Sequence, residues 1–329
     1  MTKVVETLTS EQFRIAFTIA GLPIYWYAIF TIIGYFSAIC IFLIVTHKRY
    51  KVPFEVAFYY VFFAIPMIIL GARAWSYIIG DTENISQFFN IRTGGLAVQG
   101  GVLFGVITAL IYFPLMLRKP KYHVRVYEDG EVYIKQPSMW IYADAIIPTI
   151  LIGQAIGRWG NFFNGEIYGA AVSASDLYWL KVMMPGVFDH MVLRGVYYQP
   201  LFLYESFLNI VTFILIYGLL AEIRELRVGT IASLYFIDYG IIRFITESLR
   251  APGFRYLGTY ILNGLFMGGG IILFICCQWI FPIFRGQRNY LFARDYLGWL
   301  LFHTPSEKPS YKSSYYSRKE SNKIYFANR

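Results

Sequence analysis

Seven long apolar blocks dominate this sequence, and each is close to the roughly 20 residues that a helix needs to cross a bilayer. The blocks lie at 24–45, 54–79, 95–117, 140–157, 201–221, 230–249 and 260–284. Only 15% of the residues are charged, against about 25% in a typical soluble domain. The sequence therefore predicts an all-α integral membrane protein with seven transmembrane helices.

The basic residues between the blocks predict how the chain crosses the membrane. Most of the 29 Lys and Arg residues lie after blocks one, three and five and in the C-terminal tail. Because positively charged loops stay in the cytoplasm, we expect the tail to be cytoplasmic and the N-terminus to lie outside. The net charge of +9 then reflects this bias and an attraction to anionic membrane lipids. A nucleic-acid partner is not expected.

The chain is predicted to have three parts. Residues 1–22 favour an interfacial amphipathic helix over a cleavable signal peptide. Residues 23–289 form the seven-span body. This body includes a small extracellular cap at about 167–200 and a cytoplasmic β-hairpin at about 118–139, where apolar residues alternate on both sides of a turn. Residues 290–329 are rich in Ser, Lys and Tyr, which predicts a largely disordered cytoplasmic tail.

Ionisable residues inside the apolar blocks are functional candidates, since burying a charge in a membrane is costly. In block six, Tyr239, Arg243 and Glu247 recur every four residues and share one helical face, and Arg250 follows. Arg243 and Glu247 can form a structural ion pair. Two arginines beside a tyrosine favour instead an anionic headgroup, because the planar guanidinium binds phosphate through two hydrogen bonds. Asp238, also in this block, favours a structural pair.

The stretch "GRWGNFFNGEIYG", residues 157–169, is a second candidate because it follows directly on the apolar run of block four. It carries Arg158, Asn161 and Glu166, and its glycines are expected to loosen the helix. Irregular backbone at membrane depth is tolerated only where it is buried in protein or lines a cavity. The stretch therefore predicts a polar pocket, with a purely structural use as the alternative.

Three further features lie at the predicted outer ends of blocks one to three. "TGGLAVQGG", residues 93–101, places Gln99 among glycines that let a ligand approach the backbone; a structural helix start is an equal alternative. Tyr27 lies in an aromatic stretch typical of membrane interfaces, and Arg73 favours snorkelling to lipid headgroups. Together with the two polar groups, these features predict an outward-facing pocket for an anionic lipid headgroup.

At these residues the sequence resembles the prolipoprotein diacylglyceryl transferase family. "GRWGNFFNGEIYG" resembles the signature of the family. Four further stretches occur in the same order as in the family, two before the signature, "YWYAIFTIIGY" and "GGLAVQGG", and two after it, "YQPLFLYES" and "DYGIIRFITESLR". The resemblance therefore covers about 22–284. It implies a multi-pass enzyme of the bacterial plasma membrane with no metal or organic cofactor. Its partners would be phosphatidylglycerol, membrane lipids and the prolipoprotein signal peptide with its lipobox cysteine. The diacylglyceryl group would move to the cysteine thiol, forming a thioether and releasing glycerol phosphate.

The resemblance also implies roles for individual residues. Arg158 and Arg243 match essential arginines of the family, and Tyr239 and Glu247 match residues used beside the second one, so these four are the predicted catalytic residues. The predicted substrate-binding residues are Arg158, Asn161, Glu166, Tyr27, Gln99, Arg73 and Gly169. Arginines already in place would stabilise the negative charge that grows on the departing phosphate.

Two positions depart from the family pattern. Gln99 and Gln199 stand where many relatives carry histidine, so a histidine base is not expected. Glu247 or Glu166 can accept the proton, or the thiol, with an ordinary pKa of about 8.5, can ionise unaided in a cationic pocket. Two other classes of function stay open: a lipid or anion transporter, and a non-catalytic lipid-binding scaffold.

Overall fold

The computed structural model describes residues 10–78, 88, 97–128, 131–166, 168–222, 226–251, 255, 257–280 and 324–326. The chain divides into two compact units, which we call the first unit (Met1–Phe42 and Asp144–Ile280) and the second unit (Leu43–Ala143 and Phe281–Arg329). The helices are α1 (Glu11–Arg14), α2 (Trp26–Ile44), α3 (Phe54–Ile78), α4 (Val98–Leu117), α5 (Met139–Ile146), α6 (Ile150–Asn164), α7 (Tyr178–Met183), α8 (Pro185–His190), α9 (Leu201–Gly218), α10 (Thr230–Leu249) and α11 (Leu257–Ile275). The strands are β1 (Ile15–Ile19), β2 (Leu22–Tyr25), β3 (Val124–Glu128), β4 (Glu131–Lys135), β5 (Ala171–Val172), β6 (Val192–Leu193), β7 (Val196–Tyr198) and β8 (Ile324–Phe326).

Six helices among the described residues are long and apolar enough to cross a membrane. They lie at Trp26–Arg49, Phe54–Ile78, Gln99–Leu117, Met139–Asn164, Leu201–Gly218 and Gly258–Ile280. The predicted sixth block forms the helix α10, which carries three charged residues, Asp238, Arg243 and Glu247, and is not among these six. The structure thus supports a multi-pass helical membrane protein, while α10 as a seventh span stays a prediction.

The predicted interfacial helix over residues 1–22 is wrong where the structure describes it. Only α1, four residues long, is helical, and β1 and β2 then pair as an antiparallel hairpin. Its two-residue turn is formed by Ala20 and Gly21, whose φ angles are both positive, at 48° and 80°. Positive φ at both positions is the geometry of a tight hairpin turn, and alternating Ile and Phe in β1 favour a strand.

The segment where the cap is predicted, 167–200, forms a small α/β element in the first unit where the structure describes it. β5, β7 and β6 form a three-stranded antiparallel sheet in that order, and α7 and α8 pack beside it. Leu180 and Phe188 of these helices are buried in one cluster with Phe162 of α6 and Phe202 of α9. The cap is therefore anchored to the ends of two membrane helices, and its side of the membrane stays a prediction.

In the second unit, β3 and β4 pair antiparallel, as the alternation in 118–139 predicts. β8 adds to β3 in parallel, so three residues of the predicted disordered tail form a strand; the rest of that prediction lies outside the described residues. α3 and α4 approach closely at glycines, since a Cβ on Gly71 would lie 2.6 Å from the Gly100 carbonyl oxygen. Gly100 in the "TGGLAVQGG" stretch therefore has a structural use.

A buried carboxylate fixes the start of α10 in the first unit. Asp144 is 2% exposed and accepts hydrogen bonds from the backbone N–H groups of Gly229 and Ala232, both at 2.7 Å. These donors belong to the first turn of α10, which has no helical partner for them. Gly229 has a φ of 89°, a conformation that favours glycine. Asp144 thus caps a helix from outside it, which explains an acid within block four.

α10 packs against α11 through glycines that allow their backbones to approach. A Cβ on Gly240 would lie 2.7 Å from Met267 Cβ and 2.8 Å from the Asn263 carbonyl oxygen. A Cβ on Gly270 would lie 2.8 Å from the Ile237 backbone nitrogen. Small residues at such contacts are typical of membrane helix pairs, and here they hold the helix that carries Arg243.

Gly240→Ala is expected to destabilise the protein by about 1–3 kcal/mol, because the added methyl group must push α10 and α11 apart. Gly264→Ala in α11 is the matched control, since a Cβ there has nothing within 4 Å. Thermal unfolding in detergent measures both variants. Equal thermal midpoints for the two would contradict the close contact.

Candidate active site

Three helices of the first unit bring two arginines onto one buried carboxylate. Glu205 of α9 is 1% exposed and contacts the Arg158 guanidinium of α6 through Oε2. Its Oε1 accepts a hydrogen bond from Arg243 Nη1 of α10 at 2.8 Å. The two arginine side chains keep 18% and 14% of their surface exposed. The carboxylate is therefore sealed, while each cation still presents a face to a ligand.

Helix packing sets the geometry of this group. Ser206, the neighbour of Glu205, donates from its hydroxyl to the Ala155 carbonyl oxygen of α6 at 2.9 Å. This bond ties α9 to α6 within one turn of Arg158. Gly160 lets α2 approach α6 as well, because a Cβ on it would lie 3.1 Å from Tyr27 Cα. Tyr27 is thus held against the signature stretch, with 41% of its surface exposed.

The signature stretch forms a chain of hydrogen bonds that begins at Arg158. Arg158 Nη1 donates to Asn161 Oδ1 at 3.2 Å, and Asn161 Nδ2 donates to Glu166 Oε2 at 3.3 Å. The other oxygen of Glu166 accepts from Asn164 Nδ2 at 3.2 Å. These bonds hold the Arg158 guanidinium through Nη1, whereas Glu205 contacts its Nε, so Asn161 and Glu166 belong to the same group.

The expected loosening of the helix is wrong at Gly160, whereas Gly165 does end the helix. α6 continues through Gly160 to Asn164 and ends at Gly165, whose φ of 70° places it in the left-handed region. The N–H of Gly165 donates to the last turn of the helix, a typical glycine C-cap. Regular helix presents Arg158 and Asn161 on one face because they are three residues apart.

A second ion pair lies at the C-terminal end of α10. Glu247, 0% exposed, lies with its Oε2 3.3 Å from Arg250 Nε. The backbone of Arg250 forms a β-bridge with Gly169, and the Ala170 N–H donates to the Leu249 carbonyl oxygen at 2.9 Å. Gly169 therefore joins the end of the signature stretch to the end of α10, and so aligns Arg158 with the α10 charges.

Gly169→Ala is expected to lower the catalytic rate roughly 10–100-fold without unfolding the protein, since small displacements of reacting groups have effects of this size. The new Cβ would lie 2.7 Å from Gln199 Cβ and 3.0 Å from the Leu249 carbonyl oxygen, so the bridge to Arg250 must shift. Gly186→Ala in the cap is the control, because a Cβ there has nothing within 4 Å. Unchanged turnover in Gly169→Ala would show that the bridge does not position the charges.

Tyr239 lies one turn before Arg243 on α10. Its ring stacks on Tyr235 at 6.0 Å between centroids and meets Phe266 of α11 edge-on at 5.1 Å. Because α10 is regular helix here, the four-residue spacing places Tyr239 and Arg243 on the same helix face. Asp238 accepts a hydrogen bond from the Thr212 hydroxyl at 2.9 Å, so its partner is a neutral side chain.

The remaining two predicted residues, Arg73 and Gln99, belong to the second unit. Arg73 is 2% exposed, donates from Nε to the Phe88 carbonyl oxygen at 3.0 Å and lies over the Tyr77 ring. This burial contradicts a side chain that snorkels into lipid headgroups. Gln99 lies in the first turn of α4 and is exposed. Their predicted substrate contacts stay predictions.

Sequence reasoning missed Glu205, the acid at the centre of the group. It lies in "YQPLFLYES", at the start of the fifth apolar block, which the sequence predicts to be a span. Glu205 could have been found as an ionisable residue inside a predicted span, since such residues are functional candidates. Its partners on other helices could not be predicted from the local sequence. Within the described part of the chain, no three His, Cys, Asp or Glu side chains are placed to hold a metal ion.

The geometry suits an anionic ligand. In the buried part of the group the three arginines Arg158, Arg243 and Arg250 outnumber the acids Glu205 and Glu247, so positive charge is in excess there; Glu166 is exposed to solvent. Two guanidinium groups fixed by one carboxylate are preorganised for a phosphate, which arginine binds through paired N–H donors.

Comparison with known proteins shows which family the chain belongs to. A family model described as prolipoprotein diacylglyceryl transferase matches residues 14–282. A phosphatidylglycerol–prolipoprotein diacylglyceryl transferase of Ureaplasma urealyticum is 54% identical over 282 residues, which cover 83% of each chain. Enzymes of the same name from Mycoplasmoides gallisepticum and Streptococcus pneumoniae are 48% and 31% identical; the matches cover 86% and 79% of this chain and 81% and 92% of theirs. The chain therefore belongs to the prolipoprotein diacylglyceryl transferase family.

Proposed function

We propose that this protein transfers the diacylglyceryl group of phosphatidylglycerol to the lipobox cysteine of prolipoproteins, the first step of lipoprotein maturation. The product is a thioether, and glycerol phosphate is released. The observation that carries the proposal is the Arg158–Glu205–Arg243 group, two preorganised cations on one buried acid in a member of this family. The names of its relatives supply the substrate classes.

The proposed membrane arrangement has seven spans, with α10 as the sixth. The N-terminus and the cap lie outside, the C-terminal tail is cytoplasmic, and the site opens to the outer leaflet of a bacterial plasma membrane. The positive-inside distribution of Lys and Arg supports this orientation. The packing of α10 against α11 supports α10 as a span, because α11 is itself long and apolar enough to cross.

In the first step, the donor phosphate binds the exposed faces of Arg158 and Arg243. Glu205 contacts both guanidinium groups and restrains them, and Asn161 restrains Arg158 through a second nitrogen. Because the cations are already ordered, little reorganisation accompanies binding. The glycerol carbon that joins the diacylglyceryl group to the phosphate oxygen is then held in one orientation for attack.

In the second step, the cysteine thiolate attacks that glycerol carbon. The C–S bond forms as the C–O bond breaks, and the bonding pair leaves with the phosphate oxygen. Negative charge grows on the phosphate in the transition state, so the two arginines stabilise it more than the ground state. This differential stabilisation is the main catalytic contribution of the site.

The thiol proton must leave before attack. His190, the single histidine of the first unit, lies in the cap helix α8. Its ring stacks on the Phe13 ring of α1 with 4.0 Å between centroids, so it serves packing. Glu205 lies between two cations and is a poor base. We infer that the excess positive charge of the three arginines stabilises the thiolate directly, and that the proton passes to solvent.

The test is a transfer assay with the purified protein, phosphatidylglycerol and a lipobox peptide. The peptide should gain the mass of one diacylglyceryl group, with one glycerol phosphate released per modified peptide. A transporter would leave the peptide mass unchanged, and so would a scaffold. A well-folded protein that binds the donor but never modifies a cognate peptide would refute the proposed reaction.

A further inference from the structure

A buried hydrogen bond joins the two helices that carry the arginines of the candidate active site. Gln154 of α6 donates from Nε2 to the Tyr235 hydroxyl of α10 at 3.2 Å. Tyr235 is 6% exposed and lies in an apolar cluster with Leu151, Ile216 and Ile231. An amide and a hydroxyl in such a cluster cost free energy unless they bond to a partner. We call this pair the Gln154–Tyr235 bridge.

The bridge restrains α6 and α10 in a way that apolar packing does not. α6 packs mainly against α9, and α10 packs mainly against α11, so other helices supply most of the packing of each. A hydrogen bond depends on the distance and the angle between its two partners, whereas apolar side chains tolerate small rotations and shifts. The bridge therefore sets how α6 is rotated relative to α10.

Contacts run from the bridge to both arginines. On α6, Arg158 follows Gln154 by four residues and so lies one turn along the same helix face. On α10, the rings of Tyr235 and Tyr239 stack with 6.0 Å between centroids. Tyr239 in turn lies close enough to the Arg243 guanidinium to interact with it electrostatically, as Tyr235 does with Arg158. A shift at the bridge would therefore reach each guanidinium group.

We propose that Gln154 and Tyr235 are positioning residues for the arginine pair, an inference that rests on the proposed transfer reaction. Glu205 contacts both guanidinium groups, but one shared carboxylate does not fix the angle between them. The bridge holds the two helices at a second point. Arg158 and Arg243 then present their remaining N–H groups to the donor phosphate at a fixed separation, while neither residue of the bridge touches the substrate.

Two substitutions of similar shape separate positioning from stability. Tyr235→Phe removes one oxygen atom and keeps the ring in the apolar cluster, but it deprives the Gln154 amide of its acceptor. Gln154→Leu deprives the Tyr235 hydroxyl of its partner in the same way. The double variant removes both polar groups together, and such a replacement by apolar groups of the same shape is nearly neutral for stability.

Each single variant should lower the thermal midpoint in detergent, and the double variant should recover it. Activity should not recover. In all three variants kcat for transfer is expected to fall about tenfold, since small displacements of reacting groups have effects of this size or larger. KM for the lipobox peptide should stay unchanged, because the bridge lies in the packed interior of the helices.

Recovery of kcat together with the midpoint in the double variant would overturn the proposal. Tyr235→Phe also tests it alone, because the loss of one oxygen atom is the mildest of these changes. Unaltered kcat in a folded Tyr235→Phe protein would contradict a positioning role.

Tyr217→Phe is the matched control. The Tyr217 hydroxyl also donates to another helix, to the Asp144 carbonyl oxygen of α5 at 2.7 Å. Tyr217 lies on α9 roughly 18 Å along the helix from Glu205, at 1.5 Å per residue. Its loss should lower the thermal midpoint and leave kcat unchanged. A tenfold loss of kcat in Tyr217→Phe would mean that any lost bond between helices has this effect, and would overturn the special role of the bridge.

Failure of the bridge and failure of the proposed reaction give different results. Transfer by the unaltered protein, with unaltered kcat in the bridge variants, would reject the bridge alone. No transfer by the unaltered protein would reject the proposed reaction. The bridge is then judged by the Kd for glycerol phosphate, which should rise at least threefold in the double variant and not in Tyr217→Phe; an unchanged Kd in the double variant would reject the bridge as well.

Discussion

Arg243→Ala is expected to lower the rate of diacylglyceryl transfer by about 10²–10³-fold, the usual effect of removing one preorganised donor to a developing negative charge. The variant should still fold, because Glu205 keeps its contact with Arg158 and is not left as an unpaired buried charge. Arg158→Ala should give a loss of similar size. The measurement is kcat in the peptide assay, with the thermal midpoint of each variant recorded beside it.

Arg243→Lys separates charge from geometry. Lysine keeps the positive charge but cannot offer two parallel N–H groups to a phosphate, so its activity should fall between those of the Ala variant and the unaltered protein. Arg255→Ala is the control, since Arg255 is exposed and donates only to the Arg250 carbonyl oxygen among the bonds described for it. Full activity in Arg243→Ala would eliminate the proposed role of the arginine pair.

Most of the helices and many residues of the candidate site could be predicted from the sequence, because both depend on local patterns. Apolar blocks of bilayer length define spans, and the spacing of Tyr239, Arg243 and Glu247 places them on one helix face. The polar residues of 157–169 are too dense for an apolar environment, which marks them as a site. Physical arguments of this kind need no knowledge of the partner helices.

The pairing of charges could not be predicted, because it depends on how helices distant in sequence meet. Arg243 faces Glu205, 38 residues earlier, and not only its neighbours on α10. The glycines were misjudged for the same reason. Taken alone, Gly160 suggests a loosened helix. In the structure the helix is regular at Gly160, and the missing side chain lets Tyr27 pack against it. Likewise, the burial of Arg73 follows from its tertiary contact with Phe88.

Removing the shared acid should have the largest effect on stability. Glu205→Ala leaves two arginines facing each other in a buried site, and breaking a buried ion pair in this way costs about 3–5 kcal/mol. The thermal midpoint in detergent should fall by roughly 5–15 °C. Glu205→Gln keeps the shape and one acceptor oxygen but loses the charge, so it should lie between the Ala variant and the unaltered protein.

A double variant shows whether this loss comes from the facing cations. In Glu205→Ala combined with Arg243→Ala, one of the two repelling charges is gone. The double variant should therefore be more stable than the sum of the two single losses predicts. Glu11→Ala, at an exposed position of α1, is the control for loss of an acid and should leave the midpoint unchanged. Strict additivity of the two site substitutions would mean that Glu205 stabilises the protein by packing alone. In that case the arginines would be held in place by their helices, and the carboxylate would not be the group that preorganises them for the phosphate.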